Sequence, residues 1–87
     1  MAAAFFHPDS DAVRFWVAVG EVLVGASVGR RTLHHRFCPT ALDDDPLQTY
    51  QRFAAEIDAA VRRRVGEGAL EPVMLREFDL RSIVASA

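Results

Sequence analysis

The chain has no lysine and no asparagine, so all ten of its basic residues are arginine. Alanine is abundant where AT-rich codons would otherwise appear, and the codon bias of a GC-rich genome accounts for the whole pattern. Bidentate arginine chemistry is the sharper reading, but the pattern does not require it. There is one cysteine, Cys38, which excludes an intrachain disulfide framework and fits a reducing compartment. No basic start precedes the apolar Met1–Phe6 segment, which meets Pro8 and Asp9 at once, so no signal peptide is expected. The longest apolar run, Phe15 to Val28, carries Glu21 at its centre and is too short to span a bilayer. Basic surplus is lacking too: the net charge is -2, against the positive balance of most nucleic-acid-binding domains. These absences lead to the expectation of a cytoplasmic chain with no membrane segment.

With 87 residues there is room for one compact domain, with 1–4 and 81–87 expected as frayed ends. Hydrophobic residues make up 51% of the chain, an excess for so small a core. An interface between identical copies is one place for that excess to go.

Phe5-Phe6 reads as a short edge strand running into a turn-rich loop. From Val13 apolar residues alternate, then Gly20-Glu21 interrupts and the alternation resumes at Val22. Glycine at the first central position predicts a type II′ hairpin. That register sets Val19 opposite Val22, Val17 opposite Val24 and Phe15 opposite Ala26. One face is then wholly apolar, and the other carries Arg14, Trp16, Ala18, Leu23, Gly25 and Ser27, with Trp16 across from the bare backbone of Gly25. Ser27 is the expected cap of a short helix ending near Phe37.

Asp45-Pro46 opens a longer helix, since aspartate caps and proline suits the first helical position. Leu47, Tyr50, Phe53, Ala54, Ile57, Val61 and Val65 form its apolar stripe, and Gly66 is the expected stop. Arg52 with Glu56, and Asp58 with Arg62, are spaced to pair on its outer face. Pro72 to Phe78 reads as a last strand, with Leu80 and Ile83 folding back. The fold class expected is α+β: a small antiparallel sheet in β-β-β-α-α-β order, packed on one long and one short helix.

Chemical motifs are sparse. His34, His35 and Cys38 are the nearest approach to a metal set: His34 and Cys38 are one helical turn apart and could touch one metal, but adjacent histidines point to different sides of a helix, zinc needs further ligands and no zinc spacing occurs. Surface histidines and a half-buried thiol are the ordinary reading. Cys38 lacks the marked base and oxyanion site that a nucleophile needs. Asp43-Asp44-Asp45 lacks the alternation of a calcium loop and suits a helix N-terminus instead. Neither cofactor nor catalytic set is expected, and the chain reads as a non-enzymatic protein. Arg30, Arg31, Arg62, Arg63 and Arg64 are the candidate phosphate contacts, the basis of the alternative reading as a weak nucleic-acid binder. No exposed aromatic pair for base stacking is evident. The half-apolar hairpin face of Trp16, Ala18 and Leu23 is the candidate interface, either for a homodimer or for a protein partner.

The chain resembles the small bacterial proteins of domain of unknown function family 1488. The resemblance rests on Ala12-Val13-Arg14-Phe15, on Val22 to Ser27 leading into Leu33 and Phe37, and on Asp45-Pro46-Leu47 with Tyr50, Phe53 and Ile57. Val73-Met74-Leu75 with Asp79-Leu80 complete it, so it runs over roughly residues 5 to 80. Val28-Gly29-Arg30 stands where a serine and an acidic residue would open the first helix. The resemblance implies a compact proteobacterial cytosolic domain, and it implies no activity and no catalytic residues.

Overall fold

The computed structural model describes residues 4–80. The expectations for the chain ends and for Ile83 fall outside that range, apart from Ala4, which packs against the core. Strands β1 (Phe5–His7), β2 (Ala12–Val19), β3 (Val22–Gly29) and β4 (Val73–Leu75) form one sheet in the order β1-β2-β3-β4. Helices α1 (Arg30–Phe37), α2 (Pro46–Arg52) and α3 (Ala54–Gly66) lie between β3 and β4 in the chain.

The hairpin follows directly from the alternation of its residues. Gly20 has φ of +63°, the left-handed value that the first position of a type II′ turn requires. The pairs Val19–Val22, Val17–Val24, Phe15–Ala26 and Trp16–Gly25 all form in the expected register. The inward face of Val13, Phe15, Val17, Val24, Ala26 and Val28 is buried beneath the helices, while Val22 at the turn is exposed. Val73 and Leu75 of β4 extend that face, and Leu33, Ile57, Ala60, Val61 and Leu80 complete the core from the helical side.

Several expectations are corrected. The sheet is mixed, because β4 runs parallel to β3, pairing Ala26 with Val73 and Val28 with Leu75. Three helices carry the chain from the C-terminal end of β3 back towards the end at which β3 began, a crossover that makes a parallel neighbour the natural outcome. Next, Ser27 does not cap α1, because β3 continues through it to Gly29, the N-cap, which makes no side-chain bond. Asp11 substitutes: its carbonyl accepts from the Arg30 N–H at 2.9 Å and its carboxylate takes both Nε and Nη2 of Arg30. Asp11 holds a left-handed φ of 54°, a conformation aspartate tolerates better than most residues.

Third, the long helix is two helices. Asp45 caps α2 by accepting from the N–H groups of Leu47 and Gln48, with Pro46 at the first position. At Phe53 the backbone turns to φ −112°, ψ 23°, its N–H shared between the carbonyls of Thr49 and Tyr50. The Phe53 ring stacks on Phe37 at 4.3 Å, so the break falls where the helix meets α1. The break lets α2 pack against β1 and β2 while α3 turns to β2 and β4. Finally, Gly66 is the last residue of α3, and the left-handed residue is Gly68 (φ +95°). Its N–H reaches the Val65 carbonyl and that of Ala69 the Arg64 carbonyl, the two bonds of a Schellman stop.

β4 ends at Leu75, short of Phe78, and a helical turn begins at Glu77. Asp79 accepts from the backbone N–H of Arg76 at 2.9 Å, the return half of a capping box. Leu80 folds back into the core with no exposed surface.

Candidate functional site

All three helices pack on one face of the sheet, and the opposite face is open among the described residues. Strand alternation assigns its side chains. In register across the sheet stand Phe5, Arg14, Ser27 and Met74, then Trp16 with Gly25, then Ala18 with Leu23. Phe5 is 41% exposed, Trp16 39%, Leu23 53% and Met74 65%. Trp16, Ala18 and Leu23 therefore share one exposed surface, as the period of two requires, and the fold adds Phe5 and Met74 to it. The Phe5 and Trp16 rings lie 6.0 Å apart at 33°. That exposed aromatic pair could not be read from the sequence, since it depends on β1 pairing with β2 in the register Phe5–Arg14.

The Trp16 indole lies over Gly25: a Cβ built on Gly25 would be 3.6 Å from Trp16 Nε1 and 3.5 Å from a Glu71 carboxylate oxygen. That same oxygen accepts from the Gly25 N–H at 3.2 Å, so a side chain continues the β3–β4 contact ahead of the start of β4. Between Trp16 and Met74 the face sinks into a hollow of about 490 Å³, floored by Ala12, Gly25, Ser27 and Gly29. Small side chains on adjacent strands make the floor low, and Arg14, Trp16, Pro72 and Met74 rise around it.

The sequence-marked chemical groups do not converge. His34 hydrogen-bonds through Nδ1 to Asp44 at 2.9 Å, and its ring meets that of His35 edge-on. Partial loss of water works against the charge on Asp44. The His34 hydrogen bond, a bond within its own backbone and the nearby charges of His34 and Arg30 outweigh it, and the carboxyl sits below its ordinary value. Cys38 turns away to Thr49 Oγ1 at 3.8 Å, so His34 and Cys38 do not share a centre. Among the described residues no group of three or more histidine, cysteine, aspartate or glutamate side chains could hold a metal ion.

The five candidate phosphate contacts are largely occupied within the fold. Arg30 clasps Asp11, whose carboxyl the Arg30 hydrogen bond draws below the ordinary range. Arg62 donates Nε to the Ala18 carbonyl at 3.0 Å, Arg63 donates to the Asp79 carbonyl at 2.7 Å, and Arg64 pairs with the Asp79 carboxylate at 2.7 Å. Arg31 is exposed. The helix-surface pairs Arg52–Glu56 and Asp58–Arg62 give way to tertiary partners. Glu56 meets Arg36 at 3.5 Å, Arg52 lies over the Phe53 ring, and Asp58 accepts from the Tyr50 hydroxyl at 3.0 Å. Burial, followed by the Asp58 charge and hydrogen bond, pushes the Tyr50 phenol up. Burial also raises Asp58, against the pull of Tyr50 and Arg62.

A mixed four-stranded sheet with helices on one side and an apolar open face on the other defines a two-layer α+β domain. The same fold occurs in a protein of unknown function of the DUF1488 family from Shewanella loihica PV-4, whose crystal structure superposes with a TM-score of 0.69. The match covers 84% of this chain and 85% of that one at 12% sequence identity, a likeness of fold. The fold found is thus shared with a member of the family that the chain resembles. No family model and no curated protein matches the chain. No helix of the described residues is long and apolar enough to cross a membrane.

Proposed function

We propose that this chain is a non-enzymatic, cytoplasmic interaction module that forms a homodimer through the open face of its sheet. The observation that carries the reading is the exposure of Phe5, Trp16, Leu23 and Met74 on a single surface. Contiguous apolar patches of this kind are uncommon on monomers, and tryptophan is a frequent anchor of interfaces. A second copy suits the face better than an edge-to-edge contact, because both edge strands are only three residues long. The rest of the molecule supports the non-enzymatic part, since His34, Cys38 and Tyr50 each meet a local structural partner.

Trp16→Ala tests this. The expected result is loss of the dimer in sedimentation with unchanged far-ultraviolet circular dichroism. A dimer that persists unweakened would make Trp16 merely structural.

One observation favours a second reading. Phe5 and Trp16 stand beside Arg14 on an open sheet, a combination on which single-stranded nucleic acid can stack. Binding of a fluorescent oligonucleotide that falls steeply with salt and is lost in Trp16→Ala would favour it. Absence of binding at low salt would end it.

A further inference from the structure

The open face has relief, and its relief is self-complementary. At the hairpin end Leu23 stands 53% exposed beside Ala18. At the helix end lies the hollow, floored by Ala12, Gly25, Ser27 and Gly29. Trp16 and Gly25 occupy the row midway between: Trp16 is two residues from both Arg14 and Ala18, and Gly25 two from both Leu23 and Ser27.

We infer that two copies pack face to face with strands antiparallel, about a two-fold axis crossing the strands at the Trp16–Gly25 row, so that Leu23 of each seats in the hollow of the other. The inference deepens the homodimer reading and rests on it. Rotation about that axis carries Leu23 over Ser27, Ala18 over Arg14, and the Gly20-Glu21 turn over Ala12 and Gly29. Successive residues on one face of a strand are about 7 Å apart, so each Glu21 comes within one row of the other copy's Arg14. Neither Glu21 nor Arg14 has an ion-pair partner among the described residues. The antiparallel arrangement pairs them twice by symmetry. A parallel arrangement would bring Arg14 level with Arg14 and Glu21 level with Glu21, and would leave the hollows facing each other empty. Charge and shape therefore select the same orientation.

The test uses two full-length chains, each with Cys38→Ser, one carrying Leu23→Cys and the other Ser27→Cys, co-expressed and treated with a short bis-maleimide. The expected product is a mixed covalent dimer. In this packing the two copies of Leu23, like those of Ser27, are offset by about 14 Å along the strands in addition to the ~10 Å between packed sheets, so either chain alone should cross-link poorly. Efficient cross-linking of Leu23→Cys with itself would overturn the antiparallel register. A dimer in sedimentation that yields no mixed product would overturn the register but leave the homodimer reading standing, whereas a monomer would overturn both. Independently, Arg14→Glu and Glu21→Arg should each weaken association about tenfold, and the two together should restore it. Failure of the exchange to restore affinity would overturn the Arg14–Glu21 contact.

Discussion

Asp79 is the one buried carboxylate among the described residues, and its removal has a cost that can be worked out. Its side chain is 6% exposed and ties three segments together. It pairs with Arg64 of α3 at 2.7 Å and accepts from the Arg76 N–H at 2.9 Å, just after β4. In Asp79→Ala the lost cap contributes about 1 kcal/mol. The charge-assisted bond to Arg64 contributes about 1.5–3 kcal/mol, towards the lower end because Arg64 is 30% exposed and can turn to water. The expected loss is about 2–4 kcal/mol, against a total of about 4–13 kcal/mol for a chain of this length. Urea unfolding followed by circular dichroism, at one protein concentration throughout, reads the effect. With a slope near 1 kcal/mol per molar, the midpoint should fall by about 2 M or more. Asp79→Asn keeps an acceptor for Arg76 and should lose only the charged share. An alanine variant within about 0.5 M of the wild-type midpoint would refute the reasoning, and an asparagine variant as damaged as alanine would assign the whole effect to the charge.

Three further outcomes follow from particular residues. Asp45→Ala should destabilise by about 1 kcal/mol through loss of the α2 cap, seen in the same urea titration. Gly66→Ala should stabilise by about 0.5–1 kcal/mol, because Gly66 is helical with open space around it, whereas Gly68→Ala should destabilise by about 1–2 kcal/mol at a left-handed φ; equal effects would contradict the position of the helix stop. Asp58 has its carboxyl raised by burial, so the folded chain holds that proton to higher pH than the unfolded chain does. Its contribution is full below the unfolded value and is lost as pH rises through the folded one. Asp58→Asn should therefore flatten the decline of stability with pH just above the ordinary carboxylate range, and an unchanged pH profile would contradict it.

Much of the sheet was legible because a two-residue glycine turn and strict alternation leave one register, and a slip by one residue would turn Phe15 outward and Trp16 inward. The α2 start was legible for a similar reason, since Asp45 and Pro46 act locally. What the sequence concealed was decided by tertiary partners. The direction of β4 depends on where α3 delivers the chain, and the break at Phe53 depends on Phe37, sixteen residues away. Arg52–Glu56 and Asp58–Arg62 had the right spacing, yet such surface pairs contribute only a few tenths of a kcal/mol and yield to partners such as Tyr50 and Arg36. The candidate surface was half legible. Trp16, Ala18 and Leu23 emerge from the alternation, whereas Phe5 and Met74 join them only through pairing at the two edges of the sheet.

The central claim is that the open sheet face holds two copies together, and sedimentation equilibrium of the wild-type chain tests it most directly. Run across a range of micromolar concentrations beside Leu23→Asp, the wild type should approach twice the chain mass of 9.6 kDa, while the variant stays at one chain mass with an unchanged circular dichroism spectrum. A wild type that sediments as a single chain at every concentration, or a Leu23→Asp variant that dimerises as strongly, would contradict the account.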